Sequence, residues 1–392
     1  MEIKTYNNRT IKISETAFPY SNSDNLIALP ALIDPHVHFR TPGQEYKENW
    51  ESGAGAARAG GITTVFDMPN NDPPVTDAIS LRAKKEIINE QLKNIGIPLR
   101  YYLYFGATNG NLNKIEEVKN EIIGIKLFMG ASTGNLLISR LEDQKKWFAK
   151  AAELNLVLAV HAEDETEIQK EKKLILNPTI RDHSKIRSRI AAVIATKQAI
   201  ALAKKYNTKL YLCHISTKEE IELIRQAKME GLQIFTEVTP HHLFLNENDY
   251  ERLGSLGQMN PPLRTIDDNL ALWKAIQDDI VDTIGSDHAP HTLEEKTQPY
   301  PQSPSGVPGI ETTLPLLLNA YHQGKITLEK IVALTNKNIQ KIFNLPINND
   351  WVIIDLEKKQ IVKNENLKTK CRWSPYVGQK LRGWPIDIIF NH

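Results

Sequence analysis

The chain has 392 residues, 41% hydrophobic and 24% charged, enough to bury a sizeable core in an ordinary globular protein. Its 48 lysines and arginines stand against 47 acidic residues, and a net charge of +1 excludes the broad basic field that draws a protein to nucleic acid or to an anionic membrane. Two cysteines, Cys213 and Cys371, exclude a disulfide framework and point to a reducing compartment.

From the N-terminus, Asn7, Asn8 and Arg9 stand where a signal peptide would need an apolar stretch, and no apolar run is long enough to span a bilayer. A soluble cytoplasmic protein is expected. Residues 1–30 carry short alternating segments, Glu2–Lys4 and Ile11–Ile13. Eight strand-like runs follow: Ala31–Phe39, Gly61–Pro69, Leu99–Ala107, Ile122–Gly130, Leu156–Ala162, Lys209–Ser216, Gln233–Pro240 and Thr283–Ala289. Helix-like stretches lie between most of them, at Asp77–Asn94, Glu142–Leu154, Arg187–Tyr206, Lys218–Glu230 and Asp267–Asp279. Eight such runs separated by helices predict a (β/α)₈ TIM barrel over 31–345. A doubly wound open sheet is the rival, but the first strand is followed by no Gly-rich phosphate turn. Glu294–Gly309, with its prolines and glycines, is a long connection after the last strand, the kind that carries function. Residues 346–392 alternate again (Trp351–Asp355, Asp387–Phe390). Neither end can bury a core alone, so the two are expected to pair in a small β-domain beside the barrel.

The first run reads Asp34-Pro35-His36-Val37-His38-Phe39-Arg40, so His36, His38 and Arg40 are expected on one strand face, toward the barrel mouth. An isolated His-x-His says little. Four further runs add Lys126, His161, His214 and Asp287 at or near their C-terminal ends, where barrel enzymes assemble active sites. These residue types suit a metal ion. Lys126, flanked by apolar residues on a buried strand, is costly unless paired with a carboxylate or modified. In the second case its desolvated amine loses a proton and takes up CO₂, giving a carbamate that can bridge two metal ions.

This pattern of His-x-His, buried lysine, two later histidines and Ser286-Asp287-His288 resembles the binuclear metal-dependent cyclic amidohydrolases, which include dihydroorotases, allantoinases and dihydropyrimidinases. The resemblance runs from Leu29-Pro30-Ala31 to Ser374-Pro375-Tyr376. It implies two divalent metal ions, most simply zinc, with His36, His38 and Asp287 on one, His161 and His214 on the other, and carboxylated Lys126 between them. Arg40, Asp67-Met68-Pro69-Asn70-Asn71 and Asp287-His288-Ala289-Pro290-His291 resemble dihydroorotases in particular. By that likeness Arg40, Asn70 and His291 hold the ring carboxylate of dihydroorotate, and a guanidinium fork matches a carboxylate on physical grounds alone. Asn260 falls in a segment that touches substrate in the family, although an Asn-Pro turn explains it equally well. Ser305 and Gly306 fall where the family's last long loop reaches the substrate, but depart from its common Phe-Gly form. Ala131-Ser132-Thr133-Gly134 fits a lid or an ordinary turn, and His241 and His242 read as supporting or structural residues.

The implied reaction is reversible hydrolysis of dihydroorotate to N-carbamoyl-aspartate in pyrimidine biosynthesis, with Asp287 moving the proton. The alternatives are an allantoinase or dihydropyrimidinase, against which Arg40 argues, and a non-catalytic scaffold, which would be expected to lose metal ligands. The expected partners are the small-molecule substrate and either a second copy of the chain or a carbamoyltransferase, with no nucleic acid and no membrane.

Overall fold

The computed structural model describes residues 2–12, 25–132 and 136–391. At the N-terminus β1 (Glu2–Thr5) buries Ile3 and Thr5 and exposes the residues between, as alternation requires. It pairs antiparallel with β2 (Thr10–Lys12) and parallel with β3 (Leu26–Pro30). Ile13, the end of the second alternating segment, lies outside the described residues.

The chain then enters a parallel eight-stranded sheet. Its strands are β4 (Leu32–Val37), β5 (Ile62–Asp67), β6 (Arg100–Gly106), β7 (Gly124–Phe128), β8 (Leu158–His161), β9 (Leu210–Leu212), β10 (Ile234–Val238) and β11 (Thr283–Ile284). Each falls within one of the expected apolar runs. Beyond the last strand, a parallel bridge joins Val37 to His288, and the His38 N–H donates to the His288 carbonyl at 2.8 Å. These contacts close the ring into a (β/α)₈ barrel.

Two hydrophobic layers follow from the strand period of two. One set of side chains packs outward against the helices. The other includes Ile33, Phe66, Tyr104, Ala159 and Tyr211, together with Ile339 and Phe343. On β8 this second set runs Val157, Ala159, so the next residue on that face is His161. The same alternation that fills the barrel therefore delivers chemistry at its C-terminal mouth.

The helices start and stop on local signals. Before Ala78–Ile95, Asp77 accepts the Ser80 N–H, and Gly96 ends the helix at φ 62°. The helices Leu141–Glu153, Arg189–Tyr206, Lys218–Met229 and Ile266–Gln277 fall where the sequence predicts them, to within a residue or two. The connection after β11 is less irregular than expected, because Thr292 accepts the Glu295 N–H and starts a short helix at Leu293–Lys296. Finally β12 (Trp351–Ile361) pairs with β3, and β13 (Lys380–Ile389) with β12. Both ends of the chain thus share one five-stranded sheet, ordered β13-β12-β3-β1-β2. Among the described residues no helix is long and apolar enough to cross a membrane.

Candidate active site

The site begins where β4 stops. The strand ends at Val37, so His38 and Arg40 lie beyond it, and Arg40 has a left-handed backbone (φ 60°). The expectation of a single strand face for His36, His38 and Arg40 is corrected here. Its physical cause is Asp67, which takes the Phe39 N–H at 2.7 Å. Asp67 is itself held by an ion pair with the fully buried Lys84, which also donates to Asn71 Oδ1. His214 and Asp287 also lie past their strands with left-handed φ values of 39° and 46°. Such backbone is uncommon outside glycine and concentrates at functional sites.

These turns bring the candidates together. One cavity is lined by His36, His38, Arg40, Asn70, Lys126, Phe128, Ser132, His161, His214, Asn260, Asp287, Ala289, Ser305 and Gly306. Of the residues singled out in the sequence for the site, only His291 is missing from that lining. It is buried behind Arg40, with Nε2 3.0 Å from Arg40 Nη2. Ser132 lines the cavity, whereas Thr133 and Gly134 of the suggested lid lie outside the described residues.

At one end of the cavity, His36 Nδ1 lies 2.8 Å from Glu237 Oε1, and His38 Nδ1 lies 2.8 Å from Asn70 Oδ1. Each Nδ1 thus has an acceptor, which turns Nε2 inward. His36 Nε2 and His38 Nε2 lie 3.3 and 3.2 Å from Asp287 Oδ1. Burial opposes charge on His36, but Glu237 and then Asp287 outweigh it and push the ring up to about 10. Burial instead lowers His38 to about 3. Burial also works against the Asp287 carboxylate, yet His36 and His38 hold it well below the usual range. The protein concentrates negative charge around convergent imidazoles, and a divalent cation can take the place of the proton they compete for. Gly285 leaves the room, since a Cβ there would come within 2.5 Å of Glu237 Oε2.

At the other end, His161 Nδ1 and His214 Nε2 face each other at 3.0 Å, and His161 Nε2 lies 2.9 Å from Glu163 Oε2. Glu163 is fixed by the Arg187 Nε–H at 2.9 Å. Lys126 is fully buried. Its Nζ lies 3.0 Å from Cys213 Sγ and 5.1 Å from the Phe128 ring centre, and it has no carboxylate partner among the described residues. The ion-pair reading of this lysine is therefore not what the fold provides. The donor set of four facing imidazole nitrogens, a carboxylate and a buried amine fits divalent metal ions.

The outer wall is polar and fixed. Arg40 Nε donates to the Pro290 carbonyl at 2.9 Å, and burial lowers the guanidinium to about 10, still charged at neutral pH. Asn260 Oδ1 accepts the Ser305 hydroxyl at 3.1 Å, and the Gly306 N–H donates to the Gln258 carbonyl at 2.9 Å. Gly306 has φ 139°, and a Cβ would come within 2.6 Å of the Ala289 carbonyl, so only glycine fits. His241 and His242 do not line the cavity. They belong to the helix Pro240–Phe244, where His242 Nδ1 contacts Thr239 Oγ1 at 2.8 Å.

Sequence reasoning passed over Glu237, Cys213, Glu163, Arg187 and Lys47, the last with its Nζ 3.1 Å from His291 Nδ1. Glu237 had a usable signal, a lone carboxylate in the apolar run Ile234–Val238, the same argument that singled out Lys126.

Residues 27–349 match the model of the amidohydrolase family. The chain is 37% identical over 401 residues to a dihydroorotase of Methanosarcina mazei, covering 95% of this chain and 84% of that protein. It is 36% identical over 372 residues to the multifunctional protein CAD of Squalus acanthias, covering 94% of this chain but only 15% of that much longer protein. Among solved structures, an L-hydantoinase (dihydropyrimidinase) from Arthrobacter aurescens superimposes with a TM-score of 0.87 at 28% identity, over 92% of this chain and 83% of that one. The chain belongs to the amidohydrolase family, within its dihydroorotase branch.

Proposed function

We propose that the chain catalyses reversible hydrolysis of (S)-dihydroorotate to N-carbamoyl-L-aspartate, with His36, His38, Lys126, His161, His214 and Asp287 holding two divalent metal ions. The observation that carries the substrate choice is buried, charged Arg40 in the lining of the same cavity as the convergent imidazoles. It supplies a cationic fork for a ring carboxylate, which dihydrouracil and allantoin lack.

Zinc ions held there would lower the pKa of a water to about 7 and polarise the scissile carbonyl. The remaining work falls to the chain's own groups. Glu237 and Asn70 hold the His36 and His38 imidazoles in one orientation. Asp287 Oδ1 takes a proton from the attacking water and returns it to the leaving ring nitrogen as the C–N bond breaks, and in ring closure it works in reverse. Arg40 and Asn70 receive the ring carboxylate, with His291 behind Arg40. Asn260, Ser305 and Gly306 offer donors and acceptors to the polar edge of the ring. Lys126 supports a carbamate reading: its amine adds to CO₂ and loses a proton, which gives an anion with two oxygens in a buried site where, among the described residues, the amine has no ion-pair partner.

Ring closure joins a carboxylate and a neutral ureido nitrogen into a neutral imide and so consumes a proton. The equilibrium ratio of dihydroorotate to N-carbamoyl-aspartate must therefore rise as pH falls. The test follows both directions with purified protein. Conversion should require metal, stop on chelation and approach the same pH-dependent ratio from either side. Turnover that survives complete metal removal would overturn the reading. The match to one region of a multifunctional protein supports work beside a second enzyme, a carbamoyltransferase, with a homodimer as the other assembly.

A further inference from the structure

Both ring nitrogens of His291 face groups that donate. Lys47 Nζ lies 3.1 Å from Nδ1, and Arg40 Nη2 lies 3.0 Å from Nε2. A neutral imidazole has one N–H and one lone pair, so it cannot accept at both nitrogens. The ring is neutral, since burial, and then the charge of Arg40, hold it well below the ordinary histidine range. A third neighbour decides which nitrogen carries the proton. The Ser305 carbonyl, an acceptor, lies 3.1 Å from Nε2. A proton on Nε2 satisfies that carbonyl and leaves the Nδ1 lone pair for Lys47, whose ammonium can only donate. The opposite tautomer would aim an N–H at an ammonium. The nearest carboxylate oxygen, Glu295 Oε2, is 3.6 Å from Nδ1, beyond hydrogen-bond reach. Glu295 holds Lys47 instead, at 3.1 Å, and accepts the Tyr46 hydroxyl at 3.0 Å. Lys47 is only 6% exposed, so the donor is fixed in place.

We propose that Lys47 is a positioning residue for substrate binding. It holds His291 in the Nε2–H tautomer, which ties down the Ser305–Gly306 segment and prevents Arg40 Nη2 from donating into the imidazole, so that this N–H is available to an incoming carboxylate. Lys47 has this role only if Arg40 receives the ring carboxylate as proposed, although the tautomer can be read without turnover.

The test uses Lys47→Met in the full-length, metal-loaded protein, with ¹⁵N imidazole shifts of His291 identified by comparison with His291→Gln. The wild type should show Nε2–H, and Lys47→Met should move His291 toward Nδ1–H. KM for dihydroorotate should rise about tenfold, equivalent to about 1.4 kcal/mol, with kcat within about threefold of wild type. Lys47→Arg, which keeps a donor, should restore most of both signals. Three results would overturn the proposal: an Nδ1–H ring in the wild type, an unchanged tautomer and KM in Lys47→Met, or a parallel loss of kcat and of dihydrouracil turnover. If Lys47→Met does not fold, Glu295→Gln loosens the same ammonium and is read by the same shifts. A wild type inactive on dihydroorotate would refute the substrate assignment, while the wild-type and variant spectra would still judge the tautomer on their own.

Discussion

Replacing Arg40 by methionine separates substrate recognition from the metal chemistry. Methionine keeps most of the length of the side chain and removes the charge. Arg40 is 3% exposed and lines the cavity that holds the imidazoles, so a carboxylate bound there loses its partner in a largely dry site. Truncating one member of such a pair costs about 2–5 kcal/mol. The lower part of that range applies, because the Lys47 ammonium stays one imidazole away and softens the loss. We therefore expect kcat/KM for dihydroorotate to fall about 30-fold, with each 1.4 kcal/mol worth about a factor of ten. The Pro290 carbonyl also loses its donor, a stability cost of about 1 kcal/mol that should lower the melting temperature by a few degrees without unfolding the barrel. The assay compares dihydroorotate with dihydrouracil on one preparation of known metal content, so lost metal or lost fold appears on both substrates. Arg40→Lys, which keeps charge but not the fork, should fall between. Equal loss on both substrates would refute the assignment of Arg40 to the carboxylate.

Other residues give independent outcomes. Lys126→Ala should lose most bound metal and nearly all activity while the circular dichroism of the barrel persists, and a short carboxylic acid should restore part of the turnover; full metal content in that variant would contradict the bridge. Asp287→Asn keeps the shape but removes the base, so kcat should fall at least about 100-fold with a smaller loss of metal than in Lys126→Ala. Glu237→Gln should weaken metal affinity about 10- to 100-fold by releasing the His36 ring, measured by competition with a chelating dye. Glu311 gives a pH test of stability away from the metals. Burial raises its carboxyl to about 7, so the unfolded chain ionises first, and native stability falls between about pH 4.5 and 7. Glu311→Gln should be more stable than wild type at pH 8, by at most about 3 kcal/mol, and gain nothing at pH 4.5; thermal melts at the two values decide it.

The barrel was legible because its strands are short apolar runs with turn signals between them, and each of the eight runs contains one strand. The ends were legible by elimination, as two segments too small to stand alone. What periodicity missed is the backbone past each strand. Arg40, His214 and Asp287 all sit at positive φ, where strand alternation no longer says which way a side chain points. Arg40 reaches the cavity because Asp67 takes the Phe39 N–H, a contact made across 28 residues that no local pattern encodes. The supporting shell escaped for the same reason. Lys47 and His291 are 244 residues apart, and Glu237 and His36 are 201 apart. Glu237 alone carried a signal that could have been read, a charge in a strand that should be apolar, and it was passed over.

The most direct test of the central claim is hydrolysis of dihydroorotate, dihydrouracil and allantoin by one metal-loaded wild-type preparation. The geometry of Arg40 beside the convergent imidazoles predicts that kcat/KM for dihydroorotate exceeds the other two by at least about 30-fold, the worth of one desolvated carboxylate contact. Equal or greater activity on dihydrouracil or allantoin would contradict it and leave a cyclic amidohydrolase of different specificity.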